Sequence, residues 1–151
     1  MITQLESFKV IGISVRTTNE NGQATKDIPF LWNKFFIENI SEKIPHKESE
    51  DLYCLYTHYE KDHTTPYTTI LGYKVKLSEP VPEGLVAKII DSTNYKVFSA
   101  KGKIAEGFVF KEWQKIWNLT INRSFTSDFE VYNSKSQDPE NTEVDIYIAL
   151  N

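Results

Sequence analysis

The sequence is poor in cysteine. A single thiol, Cys54, in 151 residues excludes a disulfide framework and any metal centre built on several cysteines. It also lacks a surplus of positive charge, since 17 Lys and Arg stand against 21 Asp and Glu for a formal net charge of −4. A nucleic-acid binder needs a basic excess gathered into a patch or stripe. Lys96, Lys101 and Lys103 are too few for that and read as a solvated strand edge. No apolar run is long enough to span a membrane, and Met1 to Val10 lacks a basic segment leading into a long apolar one. A cytoplasmic protein is therefore expected, and the Asn-x-Ser/Thr triplets at Asn39, Asn118 and Asn122 carry no meaning. Glycines are scattered at Gly12, Gly22, Gly72, Gly84, Gly102 and Gly107, with no phosphate-cradling loop among them. No cofactor is expected. What is plentiful is aromatic: nine Phe, eight Tyr and three Trp, many of which must be placed outside a purely aliphatic core.

Periodicity divides the chain into two similar halves. Phe8 to Val15 alternates like a strand and ends in the polar turn Thr17 to Gly22. Asp27-Ile28-Pro29 has the form of a helix start, and Ile28, Leu31, Trp32, Phe35 and Phe36 then recur on one helical face, ending near Ser41 before Pro45. Asp51 to His58 and Thr68 to Leu77 are rich in Tyr, Leu, Val and Thr and read as strands joined by a charged link, Tyr59 to Pro66. Ser78 to Gly84 is the one internal seam. Beyond it Leu85 to Ile90 and Tyr95 to Ala100 read as extended around Asp91 to Asn94. Val109, Trp113, Ile116 and Trp117 form a second amphipathic face, and strands at Asp128 to Tyr132 and Thr142 to Leu150 flank a polar loop. The expected architecture is one α+β domain over 1–151, of two tandem βαββ repeats (about 1–80 and 81–151) related by a pseudo-twofold. It should have antiparallel sheets, two main helices and a central groove.

The strand faces suggest where that groove lies. Val144, Ile146, Ile148 and Leu150 share one face; Asp145, Tyr147 and Ala149 share the other. Phe129 and Val131 likewise oppose Asp128, Glu130 and Tyr132. If both apolar faces meet the same core, Glu130, Tyr132, Asp145 and Tyr147 share the opposite face, lining either a groove between the halves or a solvated outer surface.

Five blocks then stand in order: Pro82-Glu83-Gly84, Tyr95-Lys96-Val97-Phe98 with Lys101-Gly102, Trp113-x-x-Ile116-Trp117, Asp128-Phe129-Glu130-x-Tyr132, and Val144-Asp145-Ile146-Tyr147-Ile148. Upstream, Ile70-Leu71-Gly72 within Tyr67 to Val75 looks like the matching strand of the first half. Together these resemble the GyrI-like small-molecule-binding family, which includes effector-binding domains of AraC- and MerR-type multidrug regulators and gyrase-inhibitory proteins. The resemblance implies the two βαββ repeats, a ligand groove between them, and a groove glutamate, here Glu130, surrounded by aromatics. The regulators carry a helix-turn-helix domain. This chain begins directly with its first strand, so a free-standing module without DNA-binding ability is expected, and calling it a transcription factor is unsafe.

A carboxylate removed from water needs a partner or becomes protonated, so an aromatic groove with one glutamate favours an amphipathic, cationic small molecule. Glu130, Tyr53, Tyr132, Asp145, Tyr147, Trp32, Tyr95 and Phe98 are the candidate ligand residues, with Tyr53 the first-half position that matches Glu130 across the repeat. Each aromatic among them has core packing as its rival reading. Trp113 and Trp117 fall on the apolar helix face and are assigned to the core. Because some members of the resembled family are hydrolases, Glu130 acting as general base with Tyr147 or Tyr53 is an alternative. Binding and inhibiting a large partner such as DNA gyrase is another. Cys54 reads as a structural thiol, and His58, Glu60, Asp62 and His63 lack the spacing of a helical zinc motif, so no metal is expected.

Overall fold

A computed structural model describes all residues, 1–151. In chain order it contains β1 (Ile2–Leu5), β2 (Phe8–Thr17), α1 (Ala24–Ile37), α2 (Ile40–Lys43), β3 (Leu52–Thr57), β4 (Tyr67–Val75), β5 (Val86–Ile90), β6 (Thr93–Gly102), α3 (Phe108–Trp117), β7 (Ser127–Tyr132) and β8 (Thr142–Ala149). The strands form one antiparallel sheet in the order β1-β6-β8-β7-β3-β4-β2-β5. The order reads the same from either edge: β2, β4 and β3 of the first half mirror β6, β8 and β7 of the second, meeting at the β3–β7 seam. Each half also lends its short leading strand to the other. β1 pairs with β6 and β5 with β2, so neither half closes its sheet without its counterpart.

Two details of the sequence reading change. Helix α1 begins at Ala24, three residues before the expected cap. Asp27 lies inside its first turn, accepting from Thr17 Oγ1 (2.9 Å) and Gln23 Nε2 (3.0 Å), and Pro29 falls within the helix. Phe36, expected on the buried face, is 61% exposed; Leu31 and Phe35 carry the packing. The middle of the sheet depends on Gly12 lying opposite Gly72 in the β2–β4 ladder. A Cβ at either would run into the neighbouring strand's backbone, at the carbonyl of Leu71 or of Ile11.

Helices α1 and α3 lie on one face, yet both faces are buried. Leu31 and Phe35 of α1 pack on Ile11, Ile13 and Leu71; Trp113 and Ile116 of α3 pack on Ala100, Ile146 and Ile148. The other face buries Phe8, Val10, Leu55, Ile70 and Phe129, a cluster joined by Leu5 of one edge strand and Ile90 of the other. Opposite edges meet in one cluster because the sheet curls upon itself, as its twist allows. The central strands are thereby sandwiched between the helices outside and a second core inside the curl. Every side chain of Ser127 to Val131 is buried, whichever way it points.

Candidate functional site

Strand register decides which sequence candidates meet. Glu130 pairs with Ile146 and with Cys54, and those partners face the helices; Phe129 pairs with Tyr147, and Val131 with Asp145 and Tyr53. Glu130 and Tyr132 therefore point toward α1 and α3. Asp145, Tyr147 and Tyr53 point into the curl. The single face assumed for Glu130, Tyr132, Asp145 and Tyr147 does not exist, because the apolar residues of β7 and those of β8 serve different cores. Tyr53 lies behind the sheet from Glu130; Cys54 is its cross-strand neighbour.

On the helix side Glu130 is 2% exposed and fully hydrogen-bonded by neutral groups. Its Oε2 accepts from Tyr56 Oη (2.7 Å) and Trp113 Nε1 (2.7 Å), and its Oε1 accepts from Tyr132 Oη (2.6 Å). Burial pushes its carboxyl above the ordinary range, while the Tyr132, Tyr56 and Trp113 hydrogen bonds oppose the shift. No cationic side chain forms an ion pair with it. Two residues away, Asp128 is equally buried but differently served: it accepts from Arg123 Nη2 (2.8 Å), Tyr59 Oη (2.7 Å) and the Ala149 amide (2.8 Å). Burial raises Asp128 as well, and the adjacent Arg123 guanidinium draws it back. One of the two neighbouring carboxylates has its counter-ion inside the protein; the other does not.

In front of Glu130 lies a cavity of about 400 Å³ between the start of α1, helix α3 and the β3–β4 link. Its walls are Tyr56, Tyr59, Tyr67, Phe110, Trp113 and Trp117, with Ile28 and Pro29 from α1. No Lys, Arg, Asp or Glu lines it, and His63 is its one imidazole. Glu130 stands behind Tyr56 and Trp113, whose polar atoms turn toward the carboxylate, and the two rings meet edge-on at 5.2 Å. Tyr67 Oη is held by Asn19 Oδ1 (2.6 Å) and Tyr59 Oη by Asp128, so these walls are also fixed by their hydroxyls. His63 stacks parallel on Trp117 (5.3 Å, 3°), and burial lowers its pKa, favouring the neutral ring.

Of the other candidates, Trp32 packs edge-on against Tyr132 (4.8 Å), and both line a smaller cavity of about 280 Å³ that shares Phe110 with the first. Phe98 packs beside the core under α3. Tyr95, 1% exposed, belongs to the core inside the curl. Trp113 and Trp117, assigned to the core from their helix face, do pack in the core under α3 and also wall the cavity, and Trp113 is the indole donor to Glu130. Tyr56, Tyr59 and Tyr67 were not singled out by sequence; the available signal was that Tyr59 lies in the β3–β4 link and Tyr56 and Tyr67 at the strand ends beside it. Cys54 is buried, its thiol pushed up by burial, and it contacts Tyr56 Oη at 3.5 Å. Of the residues weighed for a metal, Asp62 accepts from the Thr64 amide (2.9 Å), Glu60 faces Arg16 (3.9 Å) and His63 stacks on Trp117.

This architecture has known counterparts. The pattern of the Cass2 family, integron-associated effector binding protein, matches residues 1–150. An integron cassette protein from the mobile metagenome of Vibrio cholerae is 32% identical and superposes with a TM-score of 0.77, covering 100% of this chain and 95% of that one. A putative transcriptional regulator, YobU of Bacillus subtilis strain 168, is 28% identical over 99% of this chain and 96% of its own length. The structure of SAV2435 bound to tetraphenylphosphonium shares the fold at 18% identity, with a TM-score of 0.81, over 100% of this chain and 93% of that one. No helix here is long and apolar enough to cross a membrane. Matched over nearly its whole length, the chain belongs to the integron-associated effector-binding protein family.

Proposed function

We propose that the protein is a receptor for bulky aromatic or delocalised organic cations, held in the cavity between α1 and α3 with Glu130 as the counter-charge. The observation that carries this reading is the imbalance of the site. A buried carboxylate satisfied only by neutral donors stands behind an aromatic cavity that offers no cation of its own. A ligand bringing a positive charge but few hydrogen-bond donors suits such walls. It gains from ring faces and from Glu130, and leaves no polar group of its own unpaired. A volume of about 400 Å³ lies within the usual range for small-molecule sites. SAV2435, which shares the fold, has been seen with a cation of this class.

A hydrolytic role has less support. Glu130 already accepts from three side chains and lies behind the cavity wall, poorly placed to take a proton from water within the cavity. The test compares two ions of one shape and opposite charge by tryptophan quenching. Tetraphenylphosphonium should bind at least tenfold more tightly than tetraphenylborate, and equal affinities would remove the charge from the argument.

A further inference from the structure

The reverse face of the sheet holds a second cavity, of about 600 Å³, at the open end of the curl. Its floor is a run of rings. Phe129 and Tyr147 stack at 4.6 Å and 10°, Tyr53 lies 5.7 Å from Phe129, and Phe8 lies 5.8 Å from Tyr53. Unlike the tyrosines facing the helices, Tyr53 and Tyr147 have hydroxyls that engage nothing in the protein, though both rings are half-buried. Burial and then the Asp51 carboxylate raise the Tyr53 phenol to about 12; burial and then Asp145 raise Tyr147, with Asp51 a smaller contributor. Asp51 has no ion-pair partner, and its only side-chain-linked hydrogen bond runs from its own amide to Ser49.

Part of the rim is already paired. Glu48 is paired with Lys74 (3.8 Å), whose ammonium lies over Phe8, and Asp145 is paired with Lys135 (3.2 Å) and accepts from Ser99 (2.9 Å). Carboxylates from Glu6, Glu48, Asp51 and Asp145 outnumber the lining lysines, Lys74 and Lys76. Asp51 and the exposed Glu6 and Lys76 carry no partner; Asp51 is the half-buried one of the three, and it lines the same aromatic cavity as the two free phenol oxygens.

We infer that this reverse face is a second binding site, distinct from the Glu130 cavity, for arylalkyl primary amines in their protonated form. A primary ammonium donates up to three hydrogen bonds, matching the Asp51 carboxylate and the Tyr53 and Tyr147 oxygens, while its aryl group packs on the half-buried rings of Tyr53 and Tyr147. A quaternary or phosphonium cation has no N–H to offer and leaves those three acceptors unpaired, a penalty that separates the two sites by ligand chemistry. Tyr53, Asp145 and Tyr147, grouped with Glu130 by sequence, thereby belong to a site of their own.

The test is a titration of the whole protein with phenethylamine, followed by amide chemical shifts, alongside its N,N,N-trimethyl analogue. Phenethylamine should shift amides around Asp51–Tyr53 and Asp145–Tyr147 saturably at millimolar concentration or below. The trimethyl analogue should bind these residues at least tenfold more weakly. Asp51→Asn, just before β3, should weaken the amine at least tenfold with the rest of the spectrum unchanged. Tyr53→Phe should weaken it by a smaller factor, and Glu130→Gln should leave it unaffected. The inference is overturned if no saturable shift occurs, if Asp51→Asn changes nothing, or if Glu130→Gln abolishes the effect. In the last case the amine occupies the helix-side cavity, and the reading of that cavity survives alone.

Discussion

Replacing Glu130 by Gln separates charge from shape at the helix-side cavity. The amide oxygen, placed where Oε2 stands, accepts from Tyr56 and Trp113 as the carboxylate does. The amide nitrogen, placed where Oε1 stands, donates to Tyr132 Oη, which reverses its role from donor to acceptor. Each of the three contacts thus keeps one donor and one acceptor; the charge is lost, and the second amide hydrogen and the Tyr132 hydroxyl hydrogen must find another acceptor. A cation seated against the cavity faces of Tyr56 and Trp113 lies one ring away from the carboxylate, on the order of 7 Å, where an effective dielectric of about 20 gives an attraction of about 2 kcal/mol. The expected loss for tetraphenylphosphonium is therefore roughly thirtyfold in Kd. If bulk water screened the pair, the same distance would be worth only about 0.6 kcal/mol, a factor of roughly three. Isothermal titration of both proteins at equal ionic strength distinguishes the two. A change below threefold, in a variant whose near-ultraviolet circular dichroism matches the wild type, refutes Glu130 as counter-charge.

Three further outcomes follow from the same geometry. Trp113→Phe keeps most of the ring but removes the indole donor to a buried carboxylate, so urea denaturation should register a loss of about 2 kcal/mol, with weaker cation binding besides. Arg123→Ala strips the counter-ion from Asp128, both side chains being almost fully buried (5% and 0% exposed), and should cost about 3–5 kcal/mol in the same assay. Cation affinity should fall on acidification, because the folded-state pKa of Glu130 is raised and its charge is lost as pH drops through a value above the ordinary carboxylate range. For stability the sign is opposite: the contribution of Glu130 is full at low pH and lost as pH rises through that raised value, a loss that Glu130→Gln abolishes.

Much of the fold was legible because periodicity is local. The strand at 128–132, the helix around Trp113 and the closing strand all lie where alternation and helical spacing place them. The grouping of the site was not, because it depends on register. In β8, apolar and polar faces coincide with a helix-side core and a half-exposed surface. In β7 the same alternation has another meaning, since Phe129 and Val131 are buried inside the curl while Asp128 and Glu130 are buried beneath the helices. A strand sandwiched on both sides cannot show in its own sequence which face is which. The exchange of β1 and β5 between the halves, which closes the curl, is a long-range pairing that no local pattern encodes. Tyr56, Tyr59 and Tyr67 were missed for a related reason: their roles come from partners at Glu130, Asp128 and Asn19, distant in sequence.

The contrast between Asp128 and Glu130 shows why such a site is costly for the fold. Burying an ion costs several kcal/mol, and Arg123 offsets much of that at Asp128. At Glu130 three neutral donors do only part of the same work, since a hydrogen bond to a charged acceptor contributes about 1.5–3 kcal/mol and carries no compensating charge. Placing a lysine or arginine beside Glu130 would repair the deficit, but its ammonium or guanidinium would then occupy the place of a cationic ligand. The fold tolerates the deficit because the curl supplies a second core behind the same strands, so Leu55, Ile70 and Phe129 stabilise the sheet from the side that the cavity does not use. An arginine introduced at Phe110, on the cavity wall, should accordingly raise the urea midpoint if its guanidinium reaches Glu130, and abolish tetraphenylphosphonium binding in the same protein. Stabilisation accompanied by undiminished binding would mean that the cavity does not depend on the unpaired charge behind it.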